Sequence, residues 1–139
     1  MLPFKVTFKP GVPACEQAVY AAKKSIITGQ LRPGDEFPSV RALSQALKIN
    51  PNTAHKVVAE LTREGLLEVR PGLGTVVAEI PRSSREQRAT LLKDELERLV
   101  VEAKRLSIDL EVLHEAVTGH WRRLSPGGAP VEKLVEAKL

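Results

Sequence analysis

A polar cluster from Asn52 to Lys56 carries the side chains best suited to contacting another molecule. The Asn52 amide can donate to and accept from a base edge, and the Thr53 hydroxyl can reach a base or a phosphate. His55 and Lys56 can meet phosphates or the acceptor atoms of guanine. A hydrophobic core needs none of these four groups. The cluster is therefore a candidate nucleic-acid contact, although its composition alone also fits a solvated helix surface.

The cluster lies on a predicted amphipathic helix. The apolar residues of this helix recur at i, i+3, i+4 and i+7, the spacing of one helical face. They are Ala54, Val57, Val58 and Leu61. Gly65 is placed to end the helix. Only the residues K-I-N-P-N separate it from a shorter predicted helix, which Ser39 is placed to cap.

Further elements flank these two helices. L-L-E-V-R and T-V-V-A-E-I lie on either side of P-G-L-G and predict a two-stranded hairpin. Apolar residues at helical spacing predict an earlier helix from Ala14 to Thr28, with Gly29 as its C-terminal cap. Phe4 to Phe8 alternates apolar and polar residues, which fits a short strand or an extended arm. This order of elements is the plan of a winged helix-turn-helix, whose third helix enters the DNA major groove.

The winged-helix plan adds candidate contacts outside the polar cluster. Arg41, near the start of the second helix, could share the surface of the recognition helix. Arg70 would bring positive charge to the hairpin. Gly72 and Gly74 permit positive φ and a close approach of the backbone to a phosphate.

The composition fits a soluble globular protein with a polyanionic partner. Of the 139 residues, 42% are hydrophobic, 27% are charged and 4% are aromatic. The net charge of +4 divides into +3 for residues 1–80 and +1 for residues 81–139, so a basic surface must come from arrangement. The lone Cys15 excludes an internal disulfide and is interpreted as a small buried residue rather than a redox sensor. No signal peptide or membrane span of about 20 residues is evident, so we expect the protein to be located in the cytoplasm.

Neither catalysis nor a cofactor is expected. No nucleophile and base stand at a recognisable spacing, and no carboxylate pair lies in a cleft-forming context. The pair Gly72-x-Gly74 follows a strand and opens no helix, so it is a weak nucleotide-binding signal. His114 and His120 are six residues apart and do not share a helical face, so no metal site is predicted.

Beyond a short linker from Pro81 to Ser84, the sequence predicts two amphipathic helices. The first runs for more than 20 residues, and Ser107 is a candidate N-cap for the second. Two such helices cannot enclose their own apolar faces, so we expect an identical subunit to cover them. The predicted dimerisation residues are Leu92, Leu96, Leu99, Ala103, Leu106, Leu110, Leu113, Val117 and Trp121.

The segment from Gly29 to Val77 resembles the DNA-binding domain of the GntR superfamily of bacterial transcription regulators. The shared features are G-x-L-x-P-G-D-x-x-P-S-V-R, N-P-x-T, and E-G-L-L before G-x-G-T-x-V. The short helical remainder is similar to the YtrA subfamily, in which such a tail serves dimerisation. The resemblance implies DNA contacts at Arg41, Asn50, Asn52, Thr53, His55 and Gly72.

Two features depart from the family pattern. Pro51 stands early in the recognition helix, where some members carry an arginine, although N-P-x-T is itself common in the YtrA branch. Base preference therefore cannot be transferred from the other branches. The segment from Ser125 onward matches no part of the pattern.

The sequence therefore predicts a mostly α fold with a small β-hairpin wing. Residues 1–80 would form the winged helix-turn-helix, residues 81–124 the helical dimerisation region, and residues 125–139 a flexible or short helical tail. The expected function is binding of a palindromic double-stranded DNA operator by a homodimer, with repression favoured over activation. A protein–protein adaptor, and a regulator that senses a small-molecule effector at the dimer interface, stay open as alternatives. The candidate DNA-binding residues are Ser39, Arg41, Asn50, Asn52, Thr53, His55, Lys56, Arg70, Gly72 and Gly74.

Overall fold

The computed structural model describes residues 2–125 and divides after Pro81 into two compact units. The first unit contains three helices and one antiparallel hairpin, and the second contains only helices among its described residues. This mostly helical architecture confirms the predicted fold class. The elements of the first unit are α1 (Ala14–Ile27), α2 (Val40–Leu47), α3 (Pro51–Arg63), β1 (Leu67–Arg70) and β2 (Gly74–Val77).

The helices of the first unit begin and end at residues whose chemistry suits a terminus. The Ser39 hydroxyl accepts a hydrogen bond from the Ala42 N–H at 3.1 Å, so the predicted N-cap is confirmed. Gly29 and Gly65 follow the last turns of α1 and α3 with φ of 84° and 80°. This left-handed conformation completes a helix C-terminus, and glycine adopts it without a steric penalty.

The three helices meet in one apolar core. α1 and α2 both pack against α3. Leu43 on α2 and Val57 and Leu61 on α3 are fully buried there. Burying one such side chain stabilises the fold by about 1.5–3 kcal/mol. The core therefore holds α3 by one face and leaves its other face outward.

β1 and β2 form the hairpin, called the wing below, that the sequence predicts. Leu67 lies opposite Val77 at its base, where both side chains are buried, and Arg70 lies opposite Gly74 beside the turn. The predicted second strand, Thr75 to Ile80, is too long, because the observed strand ends at Val77. The Ala78 N–H still donates to the Leu66 carbonyl at 3.0 Å, but the strand pairing with β1 ends at Val77, opposite Leu67.

The segment before α2 covers the outer edge of the wing. The Gly34 N–H donates to the Val77 carbonyl at 2.8 Å, and the Phe37 N–H donates to the Thr75 carbonyl at 2.9 Å. In return, the Val77 N–H donates to the Asp35 carbonyl at 2.8 Å. These bonds fix β2 on the domain and satisfy a strand edge that would otherwise be exposed.

The residues ahead of α1 form an extended arm, which is one of the two alternatives that the sequence allows. The Phe4 ring is buried and stacks on Phe37, with 5.9 Å between the ring centroids. Gln17 on α1 fastens the end of the arm. Its Oε1 accepts from the Lys9 N–H at 2.8 Å, and its Nε2 donates to the Lys9 carbonyl at 2.9 Å.

The second unit contains the predicted long helix and a second, shorter one. α4 (Arg85–Ala89), a π-helical segment (Thr90–Glu95) and α5 (Leu96–Arg105) follow one another without a gap, and α6 spans Leu110–Leu124. The π-helical segment is a wider turn that the sequence pattern does not predict. Of the tail predicted for residues 125–139, residues 126–139 lie outside the described residues.

Ser107 does not cap α6, contrary to the prediction. The N-cap of α6 is Asp109, and Ser107 instead ends α5 with φ of 58°. The Ser107 N–H donates to the Lys104 carbonyl at 3.1 Å, and the Ile108 N–H donates to the Ala103 carbonyl at 2.9 Å. These two bonds make a Schellman cap, in which the residue after the helix is left-handed. The serine therefore belongs to the end of α5.

Candidate nucleic-acid interface

The turn between α2 and α3 is held by local hydrogen bonds that set the direction in which α3 begins. Lys48 is left-handed with φ of 55°, so the chain reverses there without a glycine. The Ser44 hydroxyl donates to the Ile49 carbonyl at 2.7 Å, and the Ile49 N–H donates to the Ser44 carbonyl at 3.2 Å. This role of Ser44 could not be predicted from the sequence, because no residue pattern distinguishes Ser44 from the other polar side chains on α2.

Asn50 and Pro51 close the N-terminal end of α3. The Asn50 Oδ1 accepts from the Asn52 N–H at 2.8 Å, and Pro51 occupies the first helical position, where a missing N–H costs nothing. Asn50 is therefore an N-cap as well as a predicted DNA-contacting residue. Its side-chain NH₂ group takes no part in the cap, so it can still donate to an outside acceptor.

The polar cluster lies on the outward face of α3. Asn52, His55 and Lys56 are exposed, and Thr53 is half-buried. Arg41 is exposed on α2, the helix that packs against α3. The N-terminal half of α3 thus presents an amide, an imidazole and an ammonium group to the surroundings, while its apolar face is held in the core.

The turn of the wing exposes backbone at its tip. Gly72 and Gly74 have φ of 81° and 86°, and the Leu73 N–H donates to the Arg70 carbonyl at 3.1 Å. A Cβ at either glycine would meet nothing within 4 Å inside the protein. The left-handed backbone, rather than crowding, is therefore what requires glycine at these positions. The same lack of side chains lets an outside group approach the main chain closely.

The carboxylates on α3, at its end and on β1 are each paired with a cation. The hydrogen bond that Arg63 donates to Glu60 holds the pKa of the Glu60 carboxyl below its ordinary value. Lys48, His55 and Lys56, by contrast, take part in no ion pair within residues 2–125. The charge of the nearby acids is compensated internally, which leaves the outward face of α3 positive. The pairs are Glu60 with Arg63, Glu64 with Lys23 at 2.8 Å, and Glu68 with Arg70 at 2.7 Å.

Cys15 lies beside this face without belonging to it. The side chain is half-buried against the core of the first unit, so the predicted packing role fits its position. Burial raises the pKa of the Cys15 thiol, and the nearby Lys56 ammonium opposes this rise. This direction is opposite to the shift that activates a reactive thiolate.

The residues predicted for dimerisation lie on the helices of the second unit with most of their side chains exposed. Ala103 is buried and Leu113 is half-buried. The other seven are exposed although all are large and apolar, which is unusual for a protein surface. They are Leu92, Leu96, Leu99, Leu106, Leu110, Val117 and Trp121.

The first unit is a winged helix-turn-helix domain. Its helix α3 is held by its apolar face, follows a tight turn after α2 and is flanked by the wing. The family model for bacterial regulatory proteins of the gntR family matches residues 15–77. The HTH-type transcriptional repressor YtrA of Bacillus subtilis (strain 168) is 36% identical over 108 residues, which cover 77% of this chain and 83% of that protein. The chain belongs to the GntR family of helix-turn-helix transcription regulators and, within it, is YtrA-like.

Solved structures agree with this assignment. A transcriptional antiterminator from Listeria monocytogenes EGD-e matches with a TM-score of 0.79 and 25% identity, over 91% of this chain and 96% of that one. YtrA from Sulfolobus acidocaldarius, a GntR-family transcription factor, matches with a TM-score of 0.55 and 27% identity, over 67% of this chain and 96% of that one. These relatives are regulators rather than enzymes. No helix among the described residues is long and apolar enough to cross a membrane.

Proposed function

We propose that this protein is a repressor that binds a palindromic DNA operator as a homodimer. The observation that carries the proposal is the outward face of α3, where Asn52, His55 and Lys56 are exposed beside acids that already have partners. Such a face attracts phosphates and offers hydrogen-bonding groups to the major groove. The wing adds Arg70 and an open backbone at Gly72.

The side chains of this face divide by what each can recognise. Asn52, Thr53 and His55 would contribute most of the discrimination between bases, because they can exchange hydrogen bonds with base edges. The cations, the two N-cap residues and the glycine backbone of the wing would position the protein on phosphates and would contribute affinity at any sequence. This second group consists of Ser39, Arg41, Asn50, Lys56, Arg70, Gly72 and Gly74.

The exposed apolar side chains of the second unit support a homodimer. Leu110 and Trp121 each leave 77% of their surface accessible, and Leu96 and Leu99 leave more than 40%. At about 25 cal/mol per Å² of apolar surface, covering these side chains with a second copy would favour association strongly. Two α3 helices related by a two-fold axis would then meet half-sites about 10 bp apart or a multiple of that spacing.

Repression is the simplest use of such a complex. A dimer that occupies a promoter blocks it without any further contact, and the relative from Bacillus subtilis is named a transcriptional repressor. The protein would act in the cytoplasm, where bacterial DNA lies.

An adaptor that uses the winged helix to bind another protein is the competing function. An interface of that kind is depleted of lysine and rich in aromatic residues. The outward face of α3 has the opposite composition: it carries His55 and Lys56, the turn before it carries Lys48, and the imidazole is its only aromatic group. The charge on this face therefore favours DNA over a protein partner.

The test of the proposed function is selection of bound sequences from a pool of random duplexes, with the mass of the complex measured by light scattering. We expect an enriched palindrome bound by two chains. An asymmetric motif bound by one chain would contradict the homodimer, and salt-sensitive binding without any enriched motif would contradict sequence-specific recognition.

The base-reading role of Asn52 is tested on the selected duplex and on a random one. Asn52→Ala should lose about 1–3 kcal/mol of binding free energy on the selected duplex and little on the random one. Gln45→Ala, which removes an exposed amide from α2 one helical turn after Arg41, is the comparison, and any loss it causes should be equal on the two duplexes. Equal losses on both duplexes for Asn52→Ala would show that Asn52 does not read bases.

A further inference from the structure

Arg70, the cation of the wing, is already held by a carboxylate of its own strand. Its Nε donates to Glu68 Oε1 at 2.9 Å, and its Nη2 lies 2.7 Å from the same oxygen. The two side chains remain 44% and 46% exposed, so both the pair and its surroundings are open to solvent and to ligands. The guanidinium thus uses one edge on Glu68, while Nη1 takes no part in the pair.

The register of the wing explains why these two side chains meet. Glu68 and Arg70 are two residues apart on β1, so they lie on the same face of the hairpin. Opposite them stand Val76 and Gly74. Gly74 has no side chain and Val76 is apolar, so neither cross-strand neighbour offers a charge to either partner.

We propose that Glu68 competes with DNA phosphate for Arg70 and thereby limits how tightly the wing binds DNA at any sequence. The inference rests on the proposed function, in which Arg70 contacts the DNA backbone. A guanidinium forms its strongest hydrogen bonds with carboxylates and phosphates, and both bind the same fork of N–H groups. To present that edge to a phosphate, Arg70 must leave Glu68, or else hold both anions close together.

The competition also changes the salt dependence of binding. A cation that neutralises a phosphate releases the counterion condensed there, which steepens the fall of affinity with salt. When Arg70 leaves Glu68, the uncovered carboxylate attracts a cation from solution. The net release of ions is then smaller than for a cation that begins without a partner, such as Lys56. Glu68 therefore lowers both the affinity contributed by Arg70 and its share of the salt slope.

The experiment is a double-mutant cycle of Glu68→Gln and Arg70→Gln in the full-length protein, measured on a random duplex at several salt concentrations. Glu68→Gln should tighten binding about two- to fivefold, the range of exposed ion pairs, and should steepen the salt slope. Arg70→Gln should weaken binding more in the Glu68→Gln background than in the unmodified protein. Far-ultraviolet circular dichroism of each variant checks that the fold is retained.

Glu36→Gln is the matched control. The Glu36 backbone forms a β-bridge with Val76 on the side opposite Glu68. Its carboxylate is exposed beside the same wing and forms no ion pair with Arg70 within the described residues. Glu36→Gln should change the affinity for DNA less than Glu68→Gln does, and it should not alter the effect of Arg70→Gln. If Glu36→Gln matches Glu68→Gln, general repulsion of DNA explains both, and the competition is overturned.

The cycle separates a failure of this inference from a failure of the proposed function. Equal effects of Arg70→Gln in the two backgrounds, with binding intact, would overturn the role of Glu68 alone. Absence of binding to any duplex by the unmodified protein would contradict the proposed function itself. In the expected outcome, the coupling between positions 68 and 70 appears in both the affinity and the salt slope.

Discussion

Gly65, which follows the end of α3, is a position where an added methyl group would meet both a backbone penalty and a neighbouring side chain. Its φ of 80° places it in the left-handed region, and a Cβ there would lie 3.1 Å from Pro81 Cγ. Gly34 offers a matched comparison, since its φ is 92° and a Cβ would meet nothing within 4 Å. Gly34→Ala and Gly65→Ala both force an alanine into the left-handed region, but only Gly65→Ala also creates a close contact with Pro81.

The expected losses in the free energy of unfolding come from the left-handed backbone and from the contact with Pro81. An alanine in the left-handed region costs about 1–2 kcal/mol, so Gly34→Ala should lower the free energy of unfolding by that amount. At Gly65 the added Cβ also presses on the Pro81 ring, which is exposed and outside any helix or strand. This contact should add less than the overpacking of a core, so Gly65→Ala should lose about 2–3 kcal/mol in all. For a domain of this size, each kcal/mol corresponds to about 4–8 °C in melting temperature.

Urea unfolding followed by circular dichroism measures both variants. Pro81→Ala in the Gly65→Ala background should restore the part of the loss that comes from the contact, because alanine lacks Cγ and Cδ. Equal destabilisation by Gly34→Ala and Gly65→Ala would refute the steric argument. Failure of Pro81→Ala to restore stability would refute the assignment of the contact to the proline ring.

Three further changes test other parts of the structure. Ser39→Ala removes the side-chain cap of α2 and should cost about 1 kcal/mol in urea unfolding, whereas Ser39→Asp keeps an acceptor and should cost little. Lys56→Ala should weaken binding to all duplexes and reduce the salt slope by about one unit; Lys104→Ala on α5 should leave the slope unchanged. Leu96→Asp should yield monomers by light scattering, and dimers that persist would place the interface elsewhere.

Three of the helix ends in the first unit could be predicted from the sequence because local chemistry determines them. Ser39 caps α2, and Gly29 and Gly65 end α1 and α3, as their residue types suggest. The apolar spacing on α3 likewise predicts which of its residues reach the core. These features depend only on residues a few positions apart.

Contacts that join distant parts of the chain could not be predicted in the same way. Lys23 pairs with Glu64 across 41 positions, and Phe4 stacks on Phe37. Ser107 shows the limit even for local chemistry. A serine before an apolar run fits an N-cap, and only the backbone φ reveals that it ends the preceding helix. The exposed face of α3 was predictable, whereas the internal pairing of the nearby acids was not.

The π-helical segment affects which leucines can act together in the proposed dimer. Leu96, Leu99, Ala103 and Leu106 alternate in spacing between three and four residues, which is the pattern of a helix that packs along a partner. Leu92 continues this pattern in the sequence but lies inside the π-helical segment, where the Leu96 N–H bonds to the carbonyl of Leu91, five residues back. The wider turn rotates residues before Leu96 relative to those after it, so Leu92 does not extend the face that begins at Leu96. The regular stripe therefore starts at Leu96, which makes this residue, rather than Leu92, the more direct test of the interface.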